Sequence, residues 1–588
     1  MSKKSRSKIW FLVHSWLALP IWFFVLIVCV TGTLAVVSKE IMWLANPEMR
    51  DNRPSDDAQR LNFEQIRATI ERNEPDLIVG TIMQPDGDYF ALSVFITYPD
   101  GRSVPAYVNP YTGVIQGITP SFDFRRFTRA LHGWWLVPFT NGYSWGWYLV
   151  SILGLPLLAS LVTGLVVYKK FWRGFFKPVR FSQGPRIFWG DLHRLSGVWS
   201  IWFIAVISIT GTWFLIQAIL GDNQISISSK SQVASIIPHS AVPLTADGSP
   251  APTISLERAV EIARERIPGL EASFITPPFN AYSNMQVGGR SWYPLMFQTA
   301  EINPYSGEIA ASHLLSDRNK LEFVTESMRP LHTGDFGGIW IKLIWAFFGL
   351  LLSMMVLSGL LIWSKRTALA TLNALKRETR ARPGNGRCNP TKHLALAAGD
   401  PHPGEQPVSK AATVAQPASS LSRFWHKWRF HINVLLVLIP LGFMPKYFSD
   451  VSLDRGDQGL GQREVGEIQV GPWSLRLAED RNEAPRLSGP SGYMKSFNAA
   501  LCNACIDRVK ATYLRIGKPR SLRTAGVIFF GGGYRMSAFM QIAQNTDPDA
   551  ELWITMEGWD GAVHQTSIPL QQASPSTVAW LKKQGAQP

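Results

Sequence analysis

Long runs without a charged residue constrain this sequence more than any other feature. Four runs contain no Asp, Glu, Lys or Arg, namely residues 9–38, 130–168, 195–221 and 343–364. Each can hold the roughly 20 residues that a bilayer-spanning helix needs. A fifth run, residues 430–445, is shorter and contains Pro440, and we interpret it as a fifth span. Because the mean hydropathy of the chain is only +0.03, we expect soluble segments between the spans.

The net charge of +15 is concentrated in alternate connections between these runs. This alternation is the positive-inside pattern, so it places the N-terminus in the cytoplasm and argues against a nucleic-acid partner. The first run is too long for a signal peptide and lacks a clear cleavage site, so we predict a retained helix. The basic clusters are Lys3, Lys4, Arg6 and Lys8; Lys169, Lys170, Arg173, Lys177, Arg180 and Arg186; and Lys365, Arg366, Lys376, Arg377, Arg380 and Arg382.

The chain contains an internal repeat, which becomes visible when the sequence is laid on itself. His14 is followed seventeen positions later by Thr31, and His193 at the same spacing by Thr210; both threonines begin a Thr-Gly-Thr sequence. Each repeat therefore consists of a span, an outer segment and a second span. Further matches pair Trp10 with Trp189, NPYTG (109–113) with NPYSG (303–307), RALH (129–132) with RPLH (329–332), and Gly154, Thr163 and Gly164 with Gly349, Ser358 and Gly359.

Each outer segment begins with apolar residues at helical spacing, at residues 63–75 and 256–268, and continues with strand-like runs. Because one repeat crosses the membrane twice, both copies have the same orientation. We therefore expect a pseudo-two-fold axis along the membrane normal, unlike the inverted repeats of many transporters.

The repeat sorts four histidines by membrane depth. His14 and His193 lie at the cytoplasmic ends of the first and third spans, and His132 and His332 lie at the outer ends of the second and fourth. The two-fold axis predicts one histidine pair near each membrane face. Ionisable groups at this depth need a partner, and two imidazoles fill both axial positions of a haem iron. Six-coordinate haem leaves no site for oxygen and suits electron transfer.

Glycines and arginines complete the predicted cofactor sites. Seventeen helical residues rise about 25 Å, which puts Gly32 and Gly211 level with the outer histidines. By the same reasoning, Gly164 and Gly359 lie level with the inner pair, and all four glycines are candidates for giving clearance to haem. Arg129 and Arg329 precede the outer histidines by three residues and are candidate contacts for haem propionates. Trp10 and Trp189 fit an interfacial aromatic belt better than a haem contact.

With these residues in view, the chain resembles the PepSY-associated transmembrane family, and within it the bacterial inner-membrane ferric-siderophore reductases. VHSW, DLHRLSGVW, the Thr-Gly sequences, the NPYTG and NPYSG turns, and the RALH and RPLH pair carry the resemblance over about residues 7–365. It implies two haem b groups, the inner one held by His14 and His193 and the outer one by His132 and His332. It also implies that the outer segments are PepSY domains and that electrons pass from the cytoplasmic side to a periplasmic acceptor.

We therefore predict an α-helical membrane protein with two tandem span–PepSY (α+β)–span repeats, a fifth span and a β-rich periplasmic C-terminal domain. The bounds are 1–38 for the N-terminus and first span, 39–129 for the first PepSY-like domain, 130–168 for an outer interfacial segment and the second span, 169–190 for a cytoplasmic loop, 191–221 for the third span, 222–329 for the second PepSY-like domain, 330–364 for an interfacial segment and the fourth span, 365–424 for a cytoplasmic linker, 425–448 for the fifth span and 449–588 for the C-terminal domain.

The leading functional hypothesis is reduction of a ferric siderophore to release Fe(II), with quinol or a cytoplasmic flavin system as the electron donor. Two alternatives stay open: a membrane cytochrome that passes electrons to a periplasmic redox protein, and a non-enzymatic PepSY binding or sensing protein. The sequence also leaves open whether Cys502 and Cys505 form a disulfide, a redox pair or an incidental spacing. His426 and His431 lack a repeat mate, and we interpret them as interfacial residues, with a third site or a quinol contact still open.

Overall fold

The structure is a computed structural model, and it describes residues 3–18, 22–139, 142–230, 235–381 and 420–585. By its internal contacts the chain divides into two compact units, which are described separately. One unit comprises Met1–Leu26, Thr163–Ser200 and Leu351–Val437, and the other comprises Ile27–Val162, Ile201–Leu350 and Leu438–Pro588. The helices are α1 Lys3–Ala18, α2 Trp22–Val36, α3 Ser38–Ala45, α4 Phe63–Asn73, α5 Phe124–Trp134, α6 Trp145–Ser151, α7 Gly154–Val167, α8 Pro185–Trp199, α9 Ile201–Asp222, α10 Leu256–Arg266, α11 Lys320–Thr333, α12 Gly338–Ala381, α13 Ser420–Arg455, α14 Leu570–Ala573 and α15 Pro575–Gly585.

Several of these helices have the length and apolar composition of membrane spans. Within the described ranges, four segments qualify, namely Trp145–Val167, Ile201–Asp222, Gly338–Ile362 and His431–Arg455. A fifth is obtained if α2 and α3, which meet at 60°, count as one bent span. The first uncharged run, predicted as one helix, contains the later part of α1 and all of α2, and Pro20 lies outside the described residues. The chain is a multi-pass membrane protein.

The two outer segments of the repeat fold into equivalent modules, each made of one helix and four antiparallel strands. In the first module, α4 begins at a capping box in which Asn62 and Gln65 satisfy each other's backbone amides. In the second, the Ser255 side chain caps α10. The strands are β1 Ile78–Met83, β2 Leu92–Thr97, β3 Ser103–Val108, β4 Ile115–Ile118, β5 Glu271–Thr276, β6 Met285–Arg290, β7 Gln298–Ile302 and β8 Ile309–His313.

These two modules join edge to edge into one eight-stranded sheet of order β4-β3-β2-β1-β5-β6-β7-β8. The junction pairs β1 with β5 antiparallel, with Ile82 opposite Ile275 and Met83 opposite Phe274. One hydrophobic core runs through both modules. The edge strand of each repeat is therefore covered by its counterpart, which removes an exposed edge that would otherwise invite pairing with another chain.

The matched NPYTG and NPYSG sequences form the turns that the sequence predicts. The Asn109 side-chain oxygen accepts hydrogen bonds from the backbone amides of Tyr111 and Thr112. The Asn303 side chain makes the equivalent bonds in the second module. Each turn therefore links the third and fourth strands of its module through an Asn side chain that substitutes for a backbone acceptor.

The C-terminal region is β-rich, as predicted, and consists of two sheets that share one core. Its first sheet has the order β15-β16-β12-β10-β9 with β11 on β12, and its second has the order β14-β13-β17-β18. Leu475 and Leu477 of the first sheet and Ile554 of the second belong to the same buried cluster. The strands are β9 Arg463–Val470, β10 Trp473–Glu479, β11 Arg486–Leu487, β12 Tyr493–Leu501, β13 Val509–Ile516, β14 Val527–Ile528, β15 Phe530–Gly532, β16 Arg535–Gln541, β17 Glu551–Gly558 and β18 Val563–Pro569.

This C-terminal domain contacts both modules of the eight-stranded sheet. Arg535 donates to the carbonyl of Gly101 at 2.8 Å in the first module. Asn280 of the second module donates to the carbonyl of Gly531 at 3.3 Å, and the Tyr282 hydroxyl donates to the carbonyl of Lys510. The acceptors are backbone carbonyls, so the docking depends on the local backbone conformation of the domain and the modules. No sequence motif reveals such contacts.

A buried carboxylate anchors the start of α11. Glu322 is 1% exposed, contacts the His313 ring at 3.0 Å, and accepts hydrogen bonds from Ser228 and Ser229. From the sequence we expect His313 to be a loop or surface residue, and this expectation is wrong, because the ring is buried at the end of β8. Burial raises the pKa of Glu322, but the hydrogen bonds from Ser229 and Ser228 and the charge of His313 lower it by more.

Replacing Glu322 by alanine is expected to destabilise the protein by about 3 kcal/mol, because His313 and two serines lose a buried partner. Because the pKa of Glu322 is lowered on folding, its contribution is complete above the unfolded-state pKa and is lost as the pH falls through the folded-state pKa. Thermal unfolding of the purified protein between neutral and acidic pH measures both effects. Glu261→Ala, at an exposed pair with Arg258, is the control, and an equal loss in both variants would contradict the assignment.

Candidate cofactor site

The histidines of the RALH and RPLH sequences occupy equivalent positions on two short helices. α5 is capped by Asp123, whose side chain accepts from the amide of Arg126, and α11 is capped by Asn319. His132 and His332 both lie in the last turn of their helix. Trp135 directly follows α5 and Gly334 directly follows α11, and both of these residues have left-handed backbone conformation. The left-handed residue turns the chain directly after each helix, so each histidine lies just before a change of chain direction.

His132 and His332 face each other, as the repeat predicts. Their ring centroids are 6.0 Å apart and their planes are inclined by 34°. A metal–imidazole bond is about 2 Å long and the ring centre lies about 1 Å behind its coordinating nitrogen, so bis-imidazole ligation separates ring centres by roughly 6 Å. The observed separation fits two axial ligands of one haem iron.

Hydrogen bonds fix which nitrogen of each ring is available for coordination. His132 Nδ1 lies 2.9 Å from the carbonyl of Val28, which can only accept, so Nδ1 carries the proton. His332 Nδ1 lies 2.8 Å from Thr210 Oγ1, and that hydroxyl donates its own proton to the carbonyl of Val206. Both rings therefore hold their proton on Nδ1, and a neutral imidazole in this form presents the lone pair of Nε2. Metal-binding histidines are held by their second nitrogen in the same way.

The other two histidines have matching partners. His14 Nδ1 lies 3.0 Å from Thr163 Oγ1. His193 Nδ1 lies 3.0 Å from the carbonyl of Met355 and 3.1 Å from Ser358 Oγ. His14 and His193 are close enough for electrostatic interaction between the two rings. The structure thus brings His132 and His332 face to face and places His14 within electrostatic range of His193, and all four rings are oriented through Nδ1.

Glycines give the imidazole rings room at three of the four sites. A Cβ atom on Gly32 would lie 2.6 Å from Cε1 of His132. A Cβ atom on Gly164 would lie 3.4 Å from Cε1 of His14, and a Cβ atom on Gly359 would lie 3.3 Å from Cε1 of His193. Gly211 is placed differently, because its Cβ would approach the Cα of Gly154 at 3.7 Å. The clearance that these glycines were predicted to give to haem stays a prediction.

Three arginines stand close to one another near the His132 helix. The pKa of Arg129 is lowered by desolvation and then by the positive charges of Arg125 and Arg329. All three side chains are exposed, and they make no ion pair with the described residues. Asp123 and Asp335 offset part of this positive charge, but three guanidinium groups without a direct ion pair still favour an anion, and the propionates of a haem are one such group.

The hydroxyl partners of the histidines were missed by the sequence analysis. Thr163, Thr210 and Ser358 each stand immediately before one of the repeated glycines. The sequence signal is that the four glycines predicted to give clearance to haem each follow a Thr or Ser. In the first repeat the equivalent Thr31 bonds within its own helix, and Val28 contacts His132 instead.

The remaining candidates are scattered. Trp10 is exposed and Trp189 is half-buried against Phe188. His431 is exposed on α13, and the side chain of His426 lies outside the described residues. Glu326 lies beside His313 and Glu322, but Glu322 is already saturated by serines and Glu326 is paired with Arg318. We therefore treat that group as structural.

Fold and site together define a multi-pass membrane protein built from a repeat, in which each repeat contributes one histidine to the facing pair of His132 and His332. Residues 11–366 match the family described as PepSY-associated TM region. The chain belongs to this family, which confirms the resemblance drawn from its motifs. Residues 424–571 match a second family, described only as an uncharacterised conserved protein. No curated protein matches the chain.

Proposed function

We propose that the protein is a di-haem b oxidoreductase that carries electrons across the bacterial inner membrane and reduces a ferric siderophore on the periplasmic side. The observation that carries the proposal is the His132–His332 pair, with ring centroids 6.0 Å apart and both Nδ1 atoms engaged. His14 and His193 would hold the second haem. When bound, haem b would supply reversible one-electron transfer, and two histidines that hold its iron would keep oxygen from it.

In this proposal the N-terminus is cytoplasmic, α13 contains the fifth span, and both modules and the C-terminal domain are periplasmic. The basic clusters between alternate spans support this orientation. The electron donor would be quinol or a cytoplasmic flavin system.

The arginine group supports an anionic acceptor. Arg129 and Arg329 are repeat mates and suit the two propionates of an outer haem, whereas Arg125 has Thr325 at the matching position of the second repeat. A charge found in only one repeat is not needed for a symmetric cofactor, so Arg125 would attract the chelate. Reduction would release the metal because oxygen ligands are hard donors that hold Fe(II) less tightly than Fe(III).

We expect the purified protein to show a reducible b-type haem spectrum with two haems per chain. Pyridine haemochrome assay against protein concentration measures this ratio. A colourless protein purified from haem-replete cells would contradict the proposal.

The acceptor is tested separately by reoxidation of the reduced protein. A ferric siderophore should reoxidise it, and Arg125→Ala should slow this step with the haem content unchanged. Arg523→Ala, at an exposed residue of the C-terminal domain, is the matched control. Reoxidation only by a periplasmic redox protein would favour the electron-carrier alternative.

A further inference from the structure

The C-terminal domain contains a chemical group that the proposed haem function does not use. Cys502 and Cys505 are joined by a disulfide, with their Cα atoms 5.1 Å apart. They flank a short turn between β12 of the first sheet and β13 of the second. We infer that this disulfide is a thiol–disulfide exchange site for a dithiol protein in the same compartment.

The cross-link contributes little to the fold. The stabilisation of a protein by a disulfide increases with the length of the loop that it closes, and this loop is among the shortest possible. The two strands that it connects are already held by others, β12 by β10 and β16, and β13 by β14 and β17. Because both strands are already paired, the disulfide is not needed to hold them in place.

The turn is also held by bonds that do not involve sulfur. The amide of Cys502 donates to the carbonyl of Ser474 at 3.1 Å, and the amide of Cys505 donates to the carbonyl of Cys502 at 2.9 Å. The Tyr534 hydroxyl donates to the side chain of Asn503 at 2.8 Å. Because none of these bonds requires the disulfide, the reduced and oxidised forms can share one backbone, as a reversible redox couple requires.

The two sulfurs differ in access. Cys505 is 1% exposed and belongs to the core of the domain, whereas Cys502 is half-buried. Asn503 and Ala504 between them are exposed, so the turn faces solvent. Cys502 is therefore the sulfur that an incoming thiolate reaches, and Cys505 is the internal thiol that resolves a mixed disulfide.

The exchange balances without any other reactant. A thiolate of the partner attacks the Cys502 sulfur, the bond between Cys502 and Cys505 breaks, and Cys505 leaves as a thiolate and takes up a proton. The second thiol of the partner then attacks the partner's first sulfur, which is bonded to Cys502, and Cys502 is released as a thiol. Two electrons pass from the partner dithiol to the cysteine pair, and the reverse sequence oxidises the pair. A disulfide at this position fits a compartment outside the cytoplasm.

A trapping experiment on the full-length protein tests the assignment. Oxidised glutathione is the probe, and adducts are located by peptide mass spectrometry, which separates them from those on Cys29 and Cys388. In Cys505→Ser, the Cys502 thiol should form a lasting mixed disulfide. In Cys502→Ser, the buried Cys505 should form the glutathione adduct at least about ten times more slowly. Equal rates in the two variants would overturn the inference.

The wild-type disulfide should also open and close in the folded protein when dithiothreitol is added and removed, with far-ultraviolet circular dichroism unchanged. Cys502→Ser/Cys505→Ser should keep the thermal midpoint of the wild type. A disulfide that is reduced only on unfolding, or a large fall in the midpoint of the double variant, would make the cross-link structural. Because none of these measurements involves haem, their failure leaves the proposed electron transfer untouched.

Discussion

His132→Ala is expected to lower the haem content of the purified protein from two per chain to one. The variant leaves His332 without its opposite ring, so a haem held by this pair would lose one of its two histidine ligands. The remaining haem should keep a six-coordinate b-type spectrum, because His14 and His193 are untouched. Haem stoichiometry and the reduced-minus-oxidised spectrum measure the change, and reduction of a ferric chelate should be lost with it.

Two further variants make this result specific. His14→Ala should remove the other haem, and His431→Ala, at an exposed helix position, should retain both. Haem supplied together with imidazole should restore the second haem of His132→Ala, because free imidazole can occupy the space of the missing ring. Retention of two haems in His132→Ala would refute the ligand assignment.

Gly32→Ala is expected to impair the same site without removing a ligand. The new Cβ would lie 2.6 Å from Cε1 and 2.9 Å from Nδ1 of His132, closer than atoms can approach. The ring cannot move away without losing its hydrogen bond to Val28. Overpacking of this kind costs about 1–3 kcal/mol, so we expect partial loss of the haem at the His132–His332 pair and a lower thermal midpoint.

Gly211→Ala is the matched control, because Gly211 holds the same position in the second repeat. Its Cβ would meet the Cα of Gly154 at 3.7 Å, an ordinary van der Waals contact. Haem content should be unchanged, and the helix should gain about 0.5–1 kcal/mol from the preference for alanine over glycine. Equal haem loss in the two variants would show that the close contact at Gly32 does not govern the site.

The comparison of these two glycines shows how far the repeat could be followed from sequence. Equal spacing predicts that Gly32 and Gly211 play equal roles, yet only Gly32 lies against an imidazole ring. His332 is instead contacted by Thr210, and His132 by the carbonyl of Val28. Whether a hydroxyl or a carbonyl reaches a ring depends on helix rotation of a few tens of degrees, which residue spacing does not specify.

The sequence by itself determined the membrane class, the repeat, the four histidines and the β-rich C-terminal region. The membrane class and the β-rich region rest on charge, hydropathy and local periodicity, which act within about 20 residues. The repeat and its histidines rest on equal residue spacing in two parts of the chain. Tertiary structure alone decided the joining of two modules through β1 and β5, the docking of the C-terminal domain on both modules, and the ring separation of 6.0 Å. Those contacts join residues up to several hundred positions apart, and their geometry is set by how whole helices and sheets pack.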